Sequence, residues 1–288
     1  MLSHHMARSK LAVIGDIHSN ALALKACLHS IAEYESNSSA VDTIAFVGDL
    51  LTYGVHPRET LYLLNELASL RPSVMVLGNH DQMYIELLSK SSSDYYDQLP
   101  EWIKESVNFN LARIDAELFL NINFYPQFFC HDVIVSHANF SALVSGSSDW
   151  SYVNTLEDHL KQLHGLAQRN VRLGVLGHTH RCRCFSLESA LVSDKSEHCV
   201  GRSIQLNTQI NLSDYRCSIV NAGSIGQPRE RSCLDPAWLL IEFEDSSARD
   251  VTFVSFDYDV EAHLKDISES GLSSSCIQKL CSYFVKMQ

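Results

Sequence analysis

Five short apolar runs, each stopping at a glycine or serine that precedes a polar side chain, constrain the fold of this chain most. The runs end in Gly15-Asp16-Ile17-His18, Gly48-Asp49, Gly78-Asn79-His80-Asp81, Ser136-His137 and Gly177-His178-Thr179-His180. Apolar runs bounded by turn residues are typical of buried strands. Stretches between them, at 21–34, 57–70 and 155–170, have the pattern of helices. Because strands that alternate with helices form βαβ units, we predict an α/β fold with a sheet that is at least partly parallel.

The same patterns predict the order of elements along the chain. Predicted strands cover 11–15, 43–48, 73–78, 132–136 and 171–177, followed by a looser β region over 182–221, strands at 238–242 and 251–258, and helices at 259–269 and 273–287. No repeat, low-complexity tract or linker divides the 288 residues. We therefore predict one domain over 1–288, with 1–9 as a flexible tail and the aromatic-containing segment 82–125 as a helical cap.

The charge balance and composition argue against several classes of partner. The chain has 22 Lys and Arg against 34 Asp and Glu, so its net charge is −12. Phosphate contacts dominate nucleic-acid affinity, so we expect no large nucleic-acid footprint. We find no apolar run of about 18 residues and expect no membrane span. The polar start lacks the apolar segment of a secretory signal, and nine cysteines suit free thiols, so we expect a cytoplasmic protein.

The polar residues at the five strand ends are candidate metal ligands. In an open α/β sheet, ligands bind beyond the carboxyl ends of the strands, so these side chains should converge. All are oxygen or imidazole donors: Asp16, His18, Asp49, Asn79, His137, His178 and His180. Such a set suits Mn, Fe, Zn, Ni or Co better than Ca or Mg. Seven donors are too many for one tetrahedral ion and suit two divalent ions that share a carboxylate.

As an ordered set, these motifs resemble the calcineurin-like metallophosphoesterase superfamily. The chain is similar in particular to the compact bacterial and archaeal phosphodiesterase branch, through Gly15-Asp16-Ile17-His18-Ser19-Asn20 and through Asn221-Ala222-Gly223-Ser224-Ile225-Gly226-Gln227-Pro228-Arg229. The resemblance covers residues 15–229 and extends loosely to the end of the chain. It implies a four-layer sandwich, in which two mixed β-sheets are flanked by helices.

The resemblance also implies a role for each candidate ligand. The first metal would be held by Asp16, His18 and His180. The second would be held by Asn79, His137 and His178. Asp49 would bridge both metals, and a bridging hydroxide would attack phosphorus in line with the leaving group.

Three further residues receive roles from the same resemblance, and Arg229 is a candidate through its own chemistry. His80 would face the phosphate, where it would stabilise developing charge or protonate the leaving oxygen. Asp81 would orient His80 by accepting its other ring N–H. Asn20 resembles a position near the phosphate. Arg229 could bind a phosphate or instead form a salt bridge that holds its loop, and the sequence does not separate these two roles.

The implied function is metal-dependent hydrolysis of a small phosphoester, with diesters favoured over monoesters. Protein serine/threonine phosphatases and dinucleoside-tetraphosphate hydrolases of the superfamily stay open as candidates, although they show Gly-Asp-x-Val-Asp-Arg-Gly where this chain has Gly48-Asp49-Leu50-Leu51-Thr52-Tyr53-Gly54. A DNA nuclease and a non-catalytic interaction module also stay open. Manganese is one of the candidate metals.

Three smaller questions concern residues next to the motifs. Cys182 and Cys184 alternate with His178 and His180, which permits a zinc site, but we favour packing or surface thiols. His56 and Tyr53 follow Asp49 closely. His56 is interpreted as a loop histidine, and Tyr53 as either a stacking or a core residue.

Overall fold

Two β-sheets form the centre of the computed structural model, which describes residues 8–141, 149–188, 199–230 and 235–284. The strands are β1 (Arg8–Ile14), β2 (Thr43–Phe46), β3 (Ser73–Val76), β4 (Phe124–Tyr125), β5 (Gln127–Cys130), β6 (Val133–Ser136), β7 (Leu173–Leu176), β8 (Arg183–Glu188), β9 (Cys199–Arg202), β10 (Gln209–Asn211), β11 (Tyr215–Asn221), β12 (Ala237–Glu244) and β13 (Ser247–Ser255). One sheet has the order β10-β13-β12-β1-β2-β3-β4 and the other β5-β6-β7-β11-β8-β9. Residues 1–7 of the predicted tail 1–9 lie outside the described residues, but the prediction is wrong for Arg8 and Ser9, which belong to β1.

Nine helices are found in the described part of the chain. They are α1 (Ala21–Asn37), α2 (Pro57–Leu70), α3 (Asn79–Leu88), α4 (Asp94–Gln98), α5 (Glu101–Leu111), α6 (Ala116–Leu120), α7 (Leu156–Gln168), α8 (Val260–Glu269) and α9 (Ser274–Cys281). The segment 82–125 holds most of α3 and all of α4, α5 and α6, and its role as a cap stays a prediction. None of the described helices is long and apolar enough to cross a membrane.

Both sheets are mixed, and each has a parallel centre. Strands β1, β2 and β3 are parallel neighbours, as are β6, β7 and β11, whereas β12 pairs antiparallel with β1. A single parallel bridge between Asp16 and Ser224 joins the segments that follow β1 and β11. The carboxyl ends of the two parallel groups therefore meet at one edge of the sandwich.

The alternation of side chains along β1 explains how the layers are held together. Leu11 and Val13 are buried in the core between the two sheets, while Ala12 and Ile14 are buried against the helices that cover the first sheet. Helix α7 covers the second sheet through its own apolar cluster. The four-layer sandwich is thus confirmed.

Three of the predicted strands are longer than the observed strands, at the ends that precede the candidate ligands. They were expected to reach Gly48, Gly78 and Gly177, but β2, β3 and β7 end at Phe46, Val76 and Leu176. Gly48 has a φ of 106°, which other residues rarely adopt, so the chain leaves the sheet before the polar residue. The last helix is also shorter than predicted: α9 ends at Cys281.

The two cysteines near the His-Thr-His turn serve packing. Cys184 is buried in the core between the sheets, and Cys182 packs against the same cluster. Neither thiol belongs to the groups of potential metal ligands found among the described residues. The prediction that these two cysteines serve packing is therefore confirmed.

His263 of α8 makes the fold sensitive to acid. It is 1% exposed, and neither of its ring nitrogens has a hydrogen-bond partner. Burial, reinforced by His56, lowers the pKa of His263 from 6.5 to about 3. In the folded protein it stays neutral at pH 5, whereas in the unfolded chain it takes up a proton, so stability is present above pH 6.5 and falls as the pH drops towards 3.

Replacing His263 by Leu should therefore raise the free energy of unfolding, and more at pH 5 than at pH 8. We expect a gain of about 1–3 kcal/mol from removing an unpaired buried polar group. Urea unfolding at both pH values measures it. An equal effect at the two pH values would contradict the titration of His263.

Candidate metal centre

The residues that follow six parallel strand ends converge at one edge of the sandwich. Strands β1, β2, β3, β6 and β7 lead into the seven candidate ligands, and β11 leads into the segment that ends at Arg229. The seven side chains are between 0% and 5% exposed: Asp16, His18, Asp49, Asn79, His137, His178 and His180. The structure thus brings together every ligand that the sequence predicts.

Two overlapping clusters share one carboxylate. The first contains Asp16, His18, Asp49 and His180, and the second contains Asp49, His137 and His178. Within each cluster the potential ligand atoms lie within 4.8 Å of one another. Asp49 Oδ2 lies 3.8 Å from His18 Nε2 and 3.3 Å from His137 Nε2. Its carboxylate is therefore placed to bridge two ions.

Asn79 belongs with the second cluster. Its Oδ1 lies 2.9 Å from His137 Nε2, and its Nδ2 donates to the hydroxyl of Tyr95 at 2.8 Å. The bond to Tyr95 turns the amide oxygen towards the centre. An oxygen donor in this position suits the metal role that the family resemblance implies.

The backbone around the centre is held in left-handed conformations that non-glycine residues rarely adopt. His18, Asp49, His178 and His180 have φ values of 48°, 54°, 63° and 57°. Such conformations persist only where surrounding structure enforces them, and they cluster at functional sites. The tight turns aim successive side chains at one point, as a multidentate site requires.

Each of the four histidines has one ring nitrogen fixed by a backbone carbonyl. His18 Nδ1 donates to Leu51 O at 3.0 Å, and His180 Nδ1 donates to Gln227 O at 2.8 Å. His137 Nδ1 donates to Val47 O at 2.9 Å, and His178 Nε2 donates to Trp150 O at 3.0 Å. Metal-binding histidines typically donate their second N–H in this way. The remaining nitrogen of each ring faces the centre.

The first histidine pair has the chemistry of a cation site. His18 Nε2 and His180 Nε2 lie 2.9 Å apart. Burial lowers the pKa of His18 to about 3 and that of His180 well below its ordinary value. With both Nδ1 protons engaged by carbonyls, two nitrogen lone pairs face each other without a proton between them. A divalent ion fits this arrangement, because it would take both lone pairs as ligands.

In the second cluster, His137 and Asp49 shift each other's pKa in opposite directions. Burial disfavours the charged form of His137, but the charge and hydrogen bond of Asp49, together with Asp16 and the Val47 carbonyl, raise its pKa to about 9. Burial alone would raise the pKa of Asp49, but His137 and the other histidines hold it well below its ordinary value. A divalent ion would replace the His137 proton, so metal binding should release protons.

One predicted contact is wrong: Asp81 does not orient His80. The Asp81 carboxylate accepts three backbone N–H groups, from Asp49 at 2.7 Å, Leu50 at 2.9 Å and Gly78 at 2.9 Å. It sits at the N-terminus of α3, where it fixes the turn that carries Asp49. The ring of His80 instead contacts Thr52 and Tyr53.

The two residues that were predicted to contact the substrate, Asn20 and Arg229, have different surroundings in the structure. Asn20 caps α1, because its Oδ1 accepts from Ala23 N at 3.0 Å and its Nδ2 donates to the hydroxyl of Tyr258 at 3.2 Å. It is 0% exposed, and both of its polar ends are engaged within the chain. Its role near the phosphate stays a prediction. Arg229 does lie at the centre, since its charge lowers the pKa of His18, His80 and His180.

Tyr53 and His56, the two residues considered after Asp49, lie in different parts of the structure. Tyr53 is part of the centre, with its ring 4.6 Å from that of His18 and stacked on Trp102 at 5.8 Å. His56 binds Asp266 at 2.9 Å, which agrees with a loop histidine that holds structure.

Several residues of the centre were not predicted from the sequence. Tyr152 stacks on His178 at 4.1 Å and forms a side-chain hydrogen bond with Arg229. Thr52 contacts His80, and Tyr95 contacts Asn79. The carbonyl oxygen of Trp150 accepts from His178, and its ring packs against that of His137 at 5.8 Å. A backbone contact carries no residue-type signal, and the aromatic residues lie outside the motifs.

A divalent ion should raise the melting temperature of the metal-stripped protein. An ion that binds the folded chain and not the unfolded chain stabilises by about 2.7 kcal/mol at 100 times its Kd. Calorimetry with and without Mn²⁺ measures the shift. His18→Ala should lose most of it, whereas His29→Ala, which alters a side chain that is 75% exposed on α1, should keep it. Equal shifts in the two variants would contradict a site at His18.

Comparisons with known proteins found relatives that match nearly the whole length of this chain. The uncharacterized protein MJ0912 of Methanocaldococcus jannaschii is 28% identical over 273 residues, which cover 93% of this chain and 95% of that protein. A metallophosphoesterase from Sphaerobacter thermophilus has a similar fold, with 22% identity, a TM-score of 0.65 and coverage of 96% of this chain and 99% of that one. The hypothetical protein PH1004 of Pyrococcus horikoshii has 16% identity, a TM-score of 0.67 and coverage of 94% and 97%.

The family match rests on the sequence itself. The model of the calcineurin-like phosphoesterase family matches residues 9–182, which include all seven candidate ligands. Those residues carry both overlapping clusters, and the two similar solved structures have the same fold. The chain therefore belongs to the calcineurin-like phosphoesterase family.

Proposed function

We propose that this protein hydrolyses small phosphodiesters with the help of two divalent metal ions. The observation that carries the proposal is the pair of overlapping ligand clusters that share Asp49. In the first cluster, the Nε2 atoms of His18 and His180 lie 2.9 Å apart with their lone pairs facing each other. When bound, two ions would lower the pKa of a water molecule, supply a nucleophile at neutral pH and neutralise phosphate charge.

The residues of the chain add binding and proton transfer to this chemistry. Arg229 has a buried Nε without a hydrogen-bond partner, which leaves a donor for a phosphate oxygen. Its bond to Tyr152 limits the positions that the guanidinium can take. His80 is 3% exposed beside Asp49, which suits a group that protonates a leaving oxygen away from bulk water.

The charge near the centre favours diesters over monoesters. A monoester phosphate carries about two negative charges at neutral pH and a diester carries one. Among the described residues, the guanidinium of Arg229 lowers the pKa of His18 and His180. Burial raises the pKa of the neighbouring Tyr53 and Tyr95, so both hydroxyls are neutral. A small monoanionic substrate fits this environment better than a dianion.

The metal and the cellular location are parts of the same proposal. Mixed imidazole and carboxylate donors favour Mn²⁺, Fe, Zn²⁺, Ni²⁺ or Co²⁺. The deep burial of the centre suits a small phosphoester rather than a nucleic acid or a membrane surface. The free-thiol composition supports a cytoplasmic location.

The test is hydrolysis of bis-p-nitrophenyl phosphate and of p-nitrophenyl phosphate by metal-stripped protein. Mn²⁺, Ni²⁺, Zn²⁺ and Mg²⁺ are added in turn, and His80→Ala is the catalytic control. We expect metal-dependent turnover that is faster for the diester and falls by about 10²-fold or more in the variant. Faster turnover of the monoester would favour a phosphatase, and no turnover with two ions bound would favour a binding role.

A further inference from the structure

Thr52 occupies a strained position inside the centre. Its φ is 80°, a left-handed value that is an outlier for a β-branched residue, and its side chain is 0% exposed. Such a conformation is unfavourable by itself and persists only where other contacts hold it. Gly54 N donates to both His18 O and Thr52 O, and Tyr53 N donates to Ser106 Oγ, so neighbouring residues enforce this turn.

The turn places the Thr52 hydroxyl between two partners. Thr52 Oγ1 lies 3.1 Å from His80 Nδ1 and donates to the hydroxyl of Tyr84 at 3.2 Å. A hydroxyl has one proton and two lone pairs, so an oxygen that donates to Tyr84 accepts from His80. The proton of the His80 ring is therefore held on Nδ1, and Nε2 is left for exchange.

The other ring nitrogen of His80 faces the reacting side of the centre. Nε2 lies 3.4 Å from the hydroxyl of Tyr53, whose ring stands 4.6 Å from that of His18. Asp81, the predicted partner of His80, has both oxygens engaged by backbone N–H groups. Among the described contacts of the ring, Thr52 is thus the partner that determines which nitrogen exchanges a proton.

We infer that Thr52 is a positioning residue that holds the Nδ1 proton of His80, so that Nε2 delivers a proton to the leaving oxygen of the substrate. This inference rests on the proposed phosphodiesterase function. As a water oxygen bonds to phosphorus, the P–O bond to the leaving group breaks, its electron pair stays on the leaving oxygen, and that oxygen takes the Nε2 proton of the His80 imidazolium. His80 is left neutral, with its remaining proton on Nδ1 and donated to Thr52 Oγ1. The next water molecule to supply the nucleophile gives its proton to Nε2 and so restores the imidazolium.

The first test measures the tautomer directly and needs no activity. Nitrogen-15 NMR of the metal-free protein at pH 8, with the His80 signals assigned through His80→Gln, reports which ring nitrogen carries the proton. We expect the Nδ1–H form in the wild type and in Thr52→Ser, and a mixture or the Nε2–H form in Thr52→Val. An unchanged tautomer in Thr52→Val would overturn the inference.

The second test uses leaving groups of different basicity. Thr52→Val should lower kcat by about 10- to 100-fold for diesters with phenol as leaving group, with little change in KM. The loss should vanish with 2,4-dinitrophenol, which departs without a proton, and Thr52→Ser should recover most of the rate. A loss of equal size for all leaving groups would show that Thr52 supports only the fold of the site.

A control variant and the wild type separate the possible failures. Ser106→Ala removes the contact of the same turn with Tyr53 N but leaves the Thr52 hydroxyl, so the dependence on leaving group should stay as in the wild type. If the wild type turns over no phosphoester with any metal, the proposed function fails. The tautomer measurement then still decides whether Thr52 positions His80.

Discussion

Replacing Asp49 by Asn should reduce phosphodiester turnover by about 10³-fold or more while leaving the fold intact. Asn has the shape of Asp, so its Oδ1 can still accept from His80 N, a bond of 2.9 Å in the structure. The other atom becomes an NH₂ group where Oδ2 lies 3.8 Å from His18 Nε2 and 3.3 Å from His137 Nε2. Two protons there would repel both cations, and the negative charge shared by the two clusters would be lost.

The measurement combines turnover with metal content. Asp49→Asn should bind fewer than two ions per chain, as determined by elemental analysis after dialysis. Asp115→Asn is the matched control, because Asp115 caps α6 through Leu118 N and Asn caps a helix equally well. The control should keep its activity and both ions. Full activity in Asp49→Asn would contradict the bridging role.

Replacing Gly78 by Ala should both destabilise the protein and abolish metal binding. A Cβ atom at Gly78 would lie 2.2 Å from Asp49 Oδ1 and 2.5 Å from Asp49 N. Asp49 has little room to retreat, because its N donates to Asp81 and its Oδ1 accepts from His80 N. We expect a loss of about 1–3 kcal/mol in the free energy of unfolding, as for overpacked cores, and displacement of the bridging carboxylate.

Gly165→Ala gives the matched control for this prediction. Gly165 lies within α7, and a Cβ atom there would meet only Arg169 Nη1, at 4.0 Å. Ala is favoured over Gly inside a helix by about 0.5–1 kcal/mol, so this variant should gain stability and keep its metal. Urea unfolding and metal analysis of both variants test the pair. Wild-type stability in Gly78→Ala would show that the turn relaxes more easily than its contacts suggest.

The metal ligands could be predicted because each follows a strand. Apolar runs such as those at 11–14 and 173–176 predict buried parallel strands, and parallel strands bring their carboxyl ends to one edge. The polar residue after each run must then lie near the others. The order of those residues was enough to identify the family and, through it, the layered sandwich.

The partners of His80, Asn20 and Arg229 were decided only by the tertiary structure. Asp81 follows His80 directly, but at the start of α3 its carboxylate turns to the backbone N–H groups of the β2 turn instead. The side chain of Asn20 caps the N-terminus of α1. Thr52 and Tyr152 reach the centre through a left-handed turn and a loop remote in sequence. The periodicity of apolar residues predicts which residue follows each strand and so lies at the edge of the sheet. The hydrogen-bond partner of that residue depends on backbone turns and on segments remote in sequence, which the local sequence does not encode.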